Sequence, residues 1–273
     1  MDSKLTTLKE RLSGFGRIAI AFSGGVDSTF LLYQALQVLG KGNVLAVIAE
    51  SPTYPREEIS EAIVLADKLG AECRQIKTEE FGDENFLRNS RERCYFCKKE
   101  LFARLKQLAQ EKEIDHLADG SNHDDLNDFR PGSRARVEFG VHSPLQEAGL
   151  TKEEIRKASR QAGLPTWEKP SLACLSSRIP YGTRITLEIL GQIGRGEQYL
   201  RQKGFDQVRV RHHGSIARIE LEQDHIPRIM EEGMMPEITK YFEELGYYYV
   251  TIDLKGYRTG SLNEEGTNEP DLS

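Results

Sequence analysis

The sequence predicts an α/β protein, an open and mainly parallel sheet followed by a smaller αββαβ unit, and three observations carry this. The first half alternates short apolar runs with longer amphipathic segments, the pattern of parallel βαβ units. Beyond residue 183 the order changes to helix, strand, strand, helix, strand. The first apolar run, Ile18-Ala19-Ile20-Ala21-Phe22, passes directly into Ser23-Gly24-Gly25-Val26-Asp27-Ser28, whose glycines allow a tight strand-to-helix turn.

Taken in order, residues 17–22 read as the first strand, and the helix after the turn runs to Gly40. A second strand at 44–49 precedes a helix over 55–69, with Gly70 as its C-cap. The strand at 72–77 places Cys73 in the core. Residues 81–93 are polar and irregular; Leu101, Leu105 and Leu108 then recur at helical spacing within a helix over 95–112. A strand at 115–118 ends in Asp119-Gly120-Ser121-Asn122, a turn at the carboxyl end of a strand, where open α/β sheets bind ligands. Residues 123–136 lack periodicity and read as a functional loop or lid. A helix over 151–162 follows, and Gly163, Pro165 and Pro170 bracket a domain boundary. In the second half, helices are expected over 187–203 and 225–245, and strands at 207–212, 216–220 and 247–254. The expected division is 1–165 for the first domain, 166–183 for an active-site loop and linker, 184–260 for a domain that binds substrate and oligomerises, and 261–273 for a disordered tail.

With 38% hydrophobic and 29% charged residues the composition is that of an ordinary soluble protein, and no apolar run is long enough to cross a membrane. The polar amphipathic N-terminus is not a signal peptide, so a cytoplasmic location is expected. A net charge of −6 supplies no general basic field, which argues against a stable nucleic-acid partner and for a small-molecule substrate. Without an export signal, Cys73, Cys94, Cys97 and Cys174 are expected as thiols or metal ligands and not as a disulfide framework.

The chemistry concentrates at three places. At Ser23–Thr29 the hydroxyls of Ser23, Ser28 and Thr29 and the free amides of a helix start converge on one point, which suits the pyrophosphate end of ATP with Mg²⁺. The Lys of a Walker A loop and the glycine spacing of a Rossmann fingerprint are both missing. Asp27 serves there to order the loop, to hold a metal, or simply to complement the positive helix end. Cys94 and Cys97 lie three residues apart at a helix start beside Arg93, Lys98 and Lys99, which favour thiolate. That pair alone reads as half a zinc site, a redox dithiol, part of an iron–sulfur site, or two cysteines on one helix turn. Cys174 lies among small and hydroxyl residues, in a mobile active-site loop or as a structural thiol in an interdomain turn.

The Ser23–Ser28 loop resembles the PP-loop of the N-type ATP pyrophosphatases. Added to it are Asp119-Gly120, Asp128-Phe129-Arg130-Pro131-Gly132, Ser176-Ser177-Arg178-Ile179-Pro180-Tyr181-Gly182, Val208-Arg209-Val210-Arg211-His212 and Ile216-Ala217-Arg218-Ile219-Glu220. Together they resemble the LarE family of ATP-dependent pyridinium-3,5-biscarboxylate mononucleotide sulfur transferases, over about residues 5–260. The resemblance implies a sheet of PP-loop ATP pyrophosphatase type, with ATP and Mg²⁺ bound through Ser23, Gly24, Gly25, Asp27, Ser28, Thr29, Asp119, Gly120 and Arg130. It places the sulfur-transfer centre at Cys174. With Cys94 and Cys97 added, the chain is similar to three-cysteine members whose 4Fe-4S cluster carries a labile sulfide on its fourth iron, an open position that suits a sulfur carrier. It further implies a clamp on the substrate phosphate by Arg178, Arg209 and Arg211, a metal or acid–base role for Glu197 near Cys174, and a homo-oligomer, a hexamer in the family. Two competing readings are a tRNA thiolase of the same superfamily and an ATP-sensing module with structural zinc at Cys94 and Cys97. The acidic balance argues against the first, and the finding of only two of the usual four zinc ligands against the second.

Overall fold

A computed structural model describes residues 1–127, 131–170, 174–231 and 233–258. The chain divides into two compact units, Met1–Phe86 with Ser90–Leu172, and Leu87–Asn89 with Ala173–Ser273. Arg130 and the expected disordered tail at 261–273 lie outside the described residues.

The first unit runs α1 (Asp2–Ser13), β1 (Ile18–Ala21), α2 (Val26–Leu39), β2 (Val44–Glu50), α3 (Arg56–Leu69), β3 (Glu72–Lys77), α4 (Glu84–Leu87), α5 (Arg93–Glu111), β4 (His116–Ala118), α6 (Gly132–Phe139), α7 (Pro144–Glu147) and α8 (Lys152–Gln161). Its sheet has the order β3-β2-β1-β4, and its ladders are all parallel. Sequence alternation splits the strands between two faces. Ile18, Ile20, Val44, Ala46 and Ile48 pack with residues of α1, α2, α3 and α8, while Ala19, Leu45 and Val47 pack with residues of α5 and α6. A strand covered on both faces has no solvent side, which is why β1 and β2 read as continuous apolar runs. β3 is an edge strand, and Cys73 on it is half-buried against the core. Burial pushes its thiol pKa up.

One expectation for this unit is corrected. Residues 123–136 were expected as an irregular loop or lid, yet His123–Asn127 form a 3-10 turn and α6 begins at Gly132. Of α6's side chains only Ala135 is buried, so the segment carries too little apolar pattern to announce a helix. Its packing against α5 supplies what periodicity does not.

The second unit holds α9 (Leu187–Gln202), β5 (Val208–His213), β6 (Ile216–Leu221), α10 (Ile226–Ile229), α11 (Met234–Glu244) and β7 (Tyr249–Ile252). β5 pairs antiparallel with β6 and β6 parallel with β7, so β6 is the central strand. The core includes Ile193, Leu200, Val210, Ile219, Phe242 and Tyr247. α9 approaches this core closely at Gly196, where a Cβ would stand 3.1 Å from the Phe242 ring. The single helix expected over 225–245 is instead broken into α10 and α11, with Gly233 at φ +90° between them. Pro236 gives the reason. It has no amide hydrogen and is tolerated only in the first turn of a helix, so a new helix must start just before it.

Candidate functional site

At the end of β1 the amide of Phe22 donates to the Val47 carbonyl at 2.8 Å, which carries the pairing one residue past the strand. The chain then turns at Gly24, with φ +68°, a conformation that a side chain disfavours. A Cβ at Gly24 would also lie 2.9 Å from the Cβ of Ala62 on α3. The turn is tied by its own hydroxyls. Ser23 Oγ and Ser28 Oγ are 3.1 Å apart, Ser28 Oγ donates to the Gly25 carbonyl at 3.2 Å, and it accepts from the Ser23 amide at 3.3 Å. Gly25 caps α2, whose first regular helix bond is Thr29 N–H to the Gly25 carbonyl at 3.0 Å. The amides ahead of it have no carbonyl four residues back, and they end a helix dipole that favours an anion.

Two polar atoms at this helix start, Thr29 Oγ1 and Asp27 Oδ1, are buried without a hydrogen-bond partner among the described residues. The other carboxylate oxygen of Asp27 pairs with Lys152 Nζ at the start of α8. A hard carboxylate oxygen, a hydroxyl and free amides are the donor set that a magnesium-bound pyrophosphate requires, so these residues fit that group.

Asp119 and Gly120 join the loop in different ways. Gly120 lies so close that a Cβ on it would stand 2.9 Å from the backbone nitrogen of Ser28 and 3.0 Å from its Cα. The Asp119 carboxylate, expected from sequence as a nucleotide contact, is held by Ser121 of its own turn and by Ser143. Oδ1 accepts from the Ser121 amide at 3.1 Å and from Ser143 Oγ at 2.6 Å, and Oδ2 accepts from Ser121 Oγ at 2.9 Å. It shapes the turn that delivers Gly120.

Cys94 and Cys97, neither in a disulfide, lie half-buried at the start of α5, with the i, i+3 spacing that puts both on one side of a helix. Arg93, itself buried, donates from Nη2 to Cys94 Sγ at 3.8 Å. Two soft ligands beside a cation suit an anionic iron–sulfur group.

Cys174 belongs to the second unit and precedes the 3-10 turn Leu175–Arg178. Its carbonyl accepts from the Ser177 amide at 3.0 Å, Ser177 Oγ at 2.8 Å and Arg178 Nη1 at 2.9 Å. Arg178, only 2% exposed, forks onto Glu197 with Nε to Oε1 at 2.8 Å and Nη2 to Oε2 at 3.2 Å. Glu197 further accepts from Arg201 Nη2 at 2.9 Å and from the Val210 amide at 3.1 Å. Burial pushes its carboxyl pKa up, but the guanidinium groups of Arg178, Arg209 and Arg201 outweigh burial and hold it below the ordinary carboxylate range. A second fork joins Arg211 to Glu220, with Nε to Oε1 at 3.0 Å and Nη2 to Oε2 at 2.9 Å, while Arg211 Nη1 donates to the Ser177 carbonyl at 2.7 Å.

Glu197, expected as a metal ligand or acid–base group, accepts from buried donors at both oxygens, and three arginines hold its charge. Arg178 and Arg211, expected with Arg209 to clamp a phosphate, each fork onto a carboxylate in this structure. Arg209 is buried as well, donates to the Val208 carbonyl at 2.8 Å and lies over the Tyr257 ring at 5.1 Å. Burial and the charge of Arg178 bring it down to about 10, against the opposing pull of Glu197. What this lattice does chemically is fix the backbone around Cys174. Sequence reading did not single out Glu220, Ser143 or Arg136 as site residues. The one available signal was a glutamate on the alternating strand at 216–221, where a buried position demands a cationic partner.

Comparison with known proteins adds a separate line of findings. The NAD synthase family profile matches residues 4–114, the part that carries the nucleotide loop and the Cys94–Cys97 turn. An uncharacterised protein of Synechocystis sp. is 43% identical over 96% of this chain and 98% of its own length. The pyridinium-3,5-bisthiocarboxylic acid mononucleotide synthase of Lactiplantibacillus plantarum is 39% identical over 97% of this chain and 95% of its own. An uncharacterised protein of Methanocaldococcus jannaschii is 31% identical over 92% and 94%.

Proposed function

The chain belongs to the LarE family of pyridinium-3,5-bisthiocarboxylic acid mononucleotide synthases, enzymes of PP-loop type, and from that membership we propose that it is an ATP-dependent sulfur transferase acting on pyridinium-3,5-biscarboxylic acid mononucleotide. The observation that carries the ATP half of this reading is the Ser23–Thr29 loop, where Thr29 Oγ1 and Asp27 Oδ1 are buried and unpartnered at a helix start.

The chemistry follows from the substrate. Hydroxide is a poor leaving group, so a carboxylate does not accept sulfur until it is activated. The carboxylate attacks the α-phosphorus of ATP, giving an acyl adenylate and pyrophosphate. The loop amides and the hydroxyls of Ser23, Ser28 and Thr29 hold the departing pyrophosphate, with Gly24 and Gly25 allowing its close approach. Magnesium, held by Asp27, supplies charge neutralisation on the phosphates. A sulfur nucleophile then attacks the acyl carbonyl and expels AMP, leaving a thiocarboxylate. Cys94, Cys97 and Cys174 would hold a 4Fe-4S cluster that would supply this nucleophile as sulfide, so that loss of AMP leaves the thiocarboxylate directly. The Arg178–Glu197 pair keeps the Cys174 backbone in place for it.

The test is anaerobic pyrophosphate release from ATP with the biscarboxylate pyridinium nucleotide or with tRNA as acceptor. Release with the pyridinium nucleotide is expected, and release with tRNA alone overturns the proposal in favour of a tRNA thiolase. For the sulfur carrier, reconstitution with iron and sulfide should give cluster absorption that is lost on Cys174→Ala. A fully active cluster in that variant removes Cys174 from the ligand set.

A further inference from the structure

We propose that Arg136 is a positioning residue through which α6 holds the Asp119–Gly120 turn against the nucleotide loop, tying that loop to the Cys94–Cys97 turn. The proposal rests on the reading above only in taking Ser23–Thr29 as the ATP loop. Every contact lies within the first unit.

Gly120 packs against the loop, since a Cβ built on it would stand only 2.9 Å from the Ser28 nitrogen. What holds Gly120 there is the turn that Asp119 organises, and Asp119 is fixed from outside the turn by Ser143. Ser143 is 1% exposed, and Arg136 Nη1 donates to its oxygen at 2.6 Å. A hydroxyl has one hydrogen, and with the guanidinium filling the acceptor side, that hydrogen is directed to Asp119 Oδ1 at 2.6 Å. Arg136 also donates to Gln146 Oε1, and Gln146 in turn donates its amide to the Ser121 carbonyl at 3.1 Å and Nε2 to the Asn122 carbonyl at 3.2 Å. One guanidinium thus braces the 119–122 turn along two routes.

The opposite end of α6 meets the cysteines. Gly132, its first residue, is seated against α5 so closely that a Cβ there would stand 3.3 Å from the Cys94 carbonyl oxygen and 2.9 Å from Lys98 Cγ. Arg134 lies over the Tyr95 ring at 3.9 Å and pairs with Glu92 at 2.7 Å, and Tyr95 reaches Glu138 at 3.0 Å. α6 is therefore fastened to the cysteine turn through Gly132, Arg134 and Glu138, and to the nucleotide loop through Arg136. Contiguous packing of this kind gives a physical route between the two, and ATP-dependent amide exchange at 93–99 measures the coupling along it.

The test compares wild type with Arg136→Met and Ser143→Ala, with Arg136→Lys as the conservative variant. ATP and AMP affinities are measured by competition, and amide exchange over residues 93–99 is followed with and without ATP. ATP affinity is expected to fall about tenfold in Arg136→Met and Ser143→Ala, the size of one lost charge-assisted hydrogen bond, while AMP affinity stays within about twofold because AMP lacks the pyrophosphate. Arg136→Lys should recover part of the loss. ATP should slow exchange at 93–99 in wild type and not in Arg136→Met. Equal losses for ATP and AMP would mark a merely structural role and overturn the proposal. So would unchanged ATP affinity, or exchange at 93–99 that ignores ATP in wild type. These readouts need no sulfur acceptor, so wild type that shows them without thiolating the pyridinium nucleotide refutes the proposed function and leaves this inference standing.

Discussion

Replacing Glu197 by alanine tests whether the buried lattice around Cys174 is held by charge. Glu197 is 0% exposed and accepts from Arg178 Nε and Nη2, from Arg201 Nη2 and from the Val210 amide. Its removal leaves the Arg178 guanidinium buried without its carboxylate and the Val210 amide without its acceptor. Breaking one side of a buried ion pair costs about 3–5 kcal/mol, against a total stability of roughly 5–15 kcal/mol for a domain. Part of the loss is the stranded cation, so the double substitution Glu197→Ala with Arg178→Met should be more stable than Glu197→Ala alone. Urea unfolding followed by circular dichroism gives the free energies, and amide exchange at Val210 reports the site itself. A Glu197→Ala variant within about 1 kcal/mol of wild type, or a double variant no better than the single one, refutes the reasoning.

Gly120→Ala should disrupt nucleotide binding by at least about tenfold, because the added Cβ meets backbone atoms of Ser28 that have no rotamer to yield. Gly42→Ala, where a Cβ meets nothing within 4 Å, is the matched control, and isothermal titration with ATP separates them. The Glu154 carboxyl is lowered to about 2, first by the hydrogen bond from Lys4 and then by that from the Thr151 backbone. A lowered carboxyl contributes stability that is complete above its unfolded value near 4.5 and is lost as pH falls through the folded value. Lys4→Met should therefore melt below wild type at neutral pH, with the gap closing between pH 4.5 and about 2, and a gap that persists at pH 2 contradicts the assignment.

The β1-loop-α2 unit was legible from sequence because its determinants are local. An apolar run, two glycines and three hydroxyls specify a strand, a turn and a capped helix within a dozen residues, and the structure builds them there. The same holds for the α8 start, where Thr151 and Glu154 form a reciprocal cap. α6 was not legible, since its one buried side chain, Ala135, leaves no period to read. Glu197 and Arg178 lie 19 residues apart, and Arg136 reaches Asp119 only through Ser143.

By itself, then, the sequence determined the succession of strands, the Ser23–Thr29 turn and the spacing of the cysteines, all of which depend on residue type and short spacing. Only the tertiary structure decided which charges are spent on one another. A linear chain does not show that folding buries a glutamate against each of Arg178 and Arg211. Once buried, such a carboxylate must be paired, and its nearest cation is committed to holding the fold around Cys174.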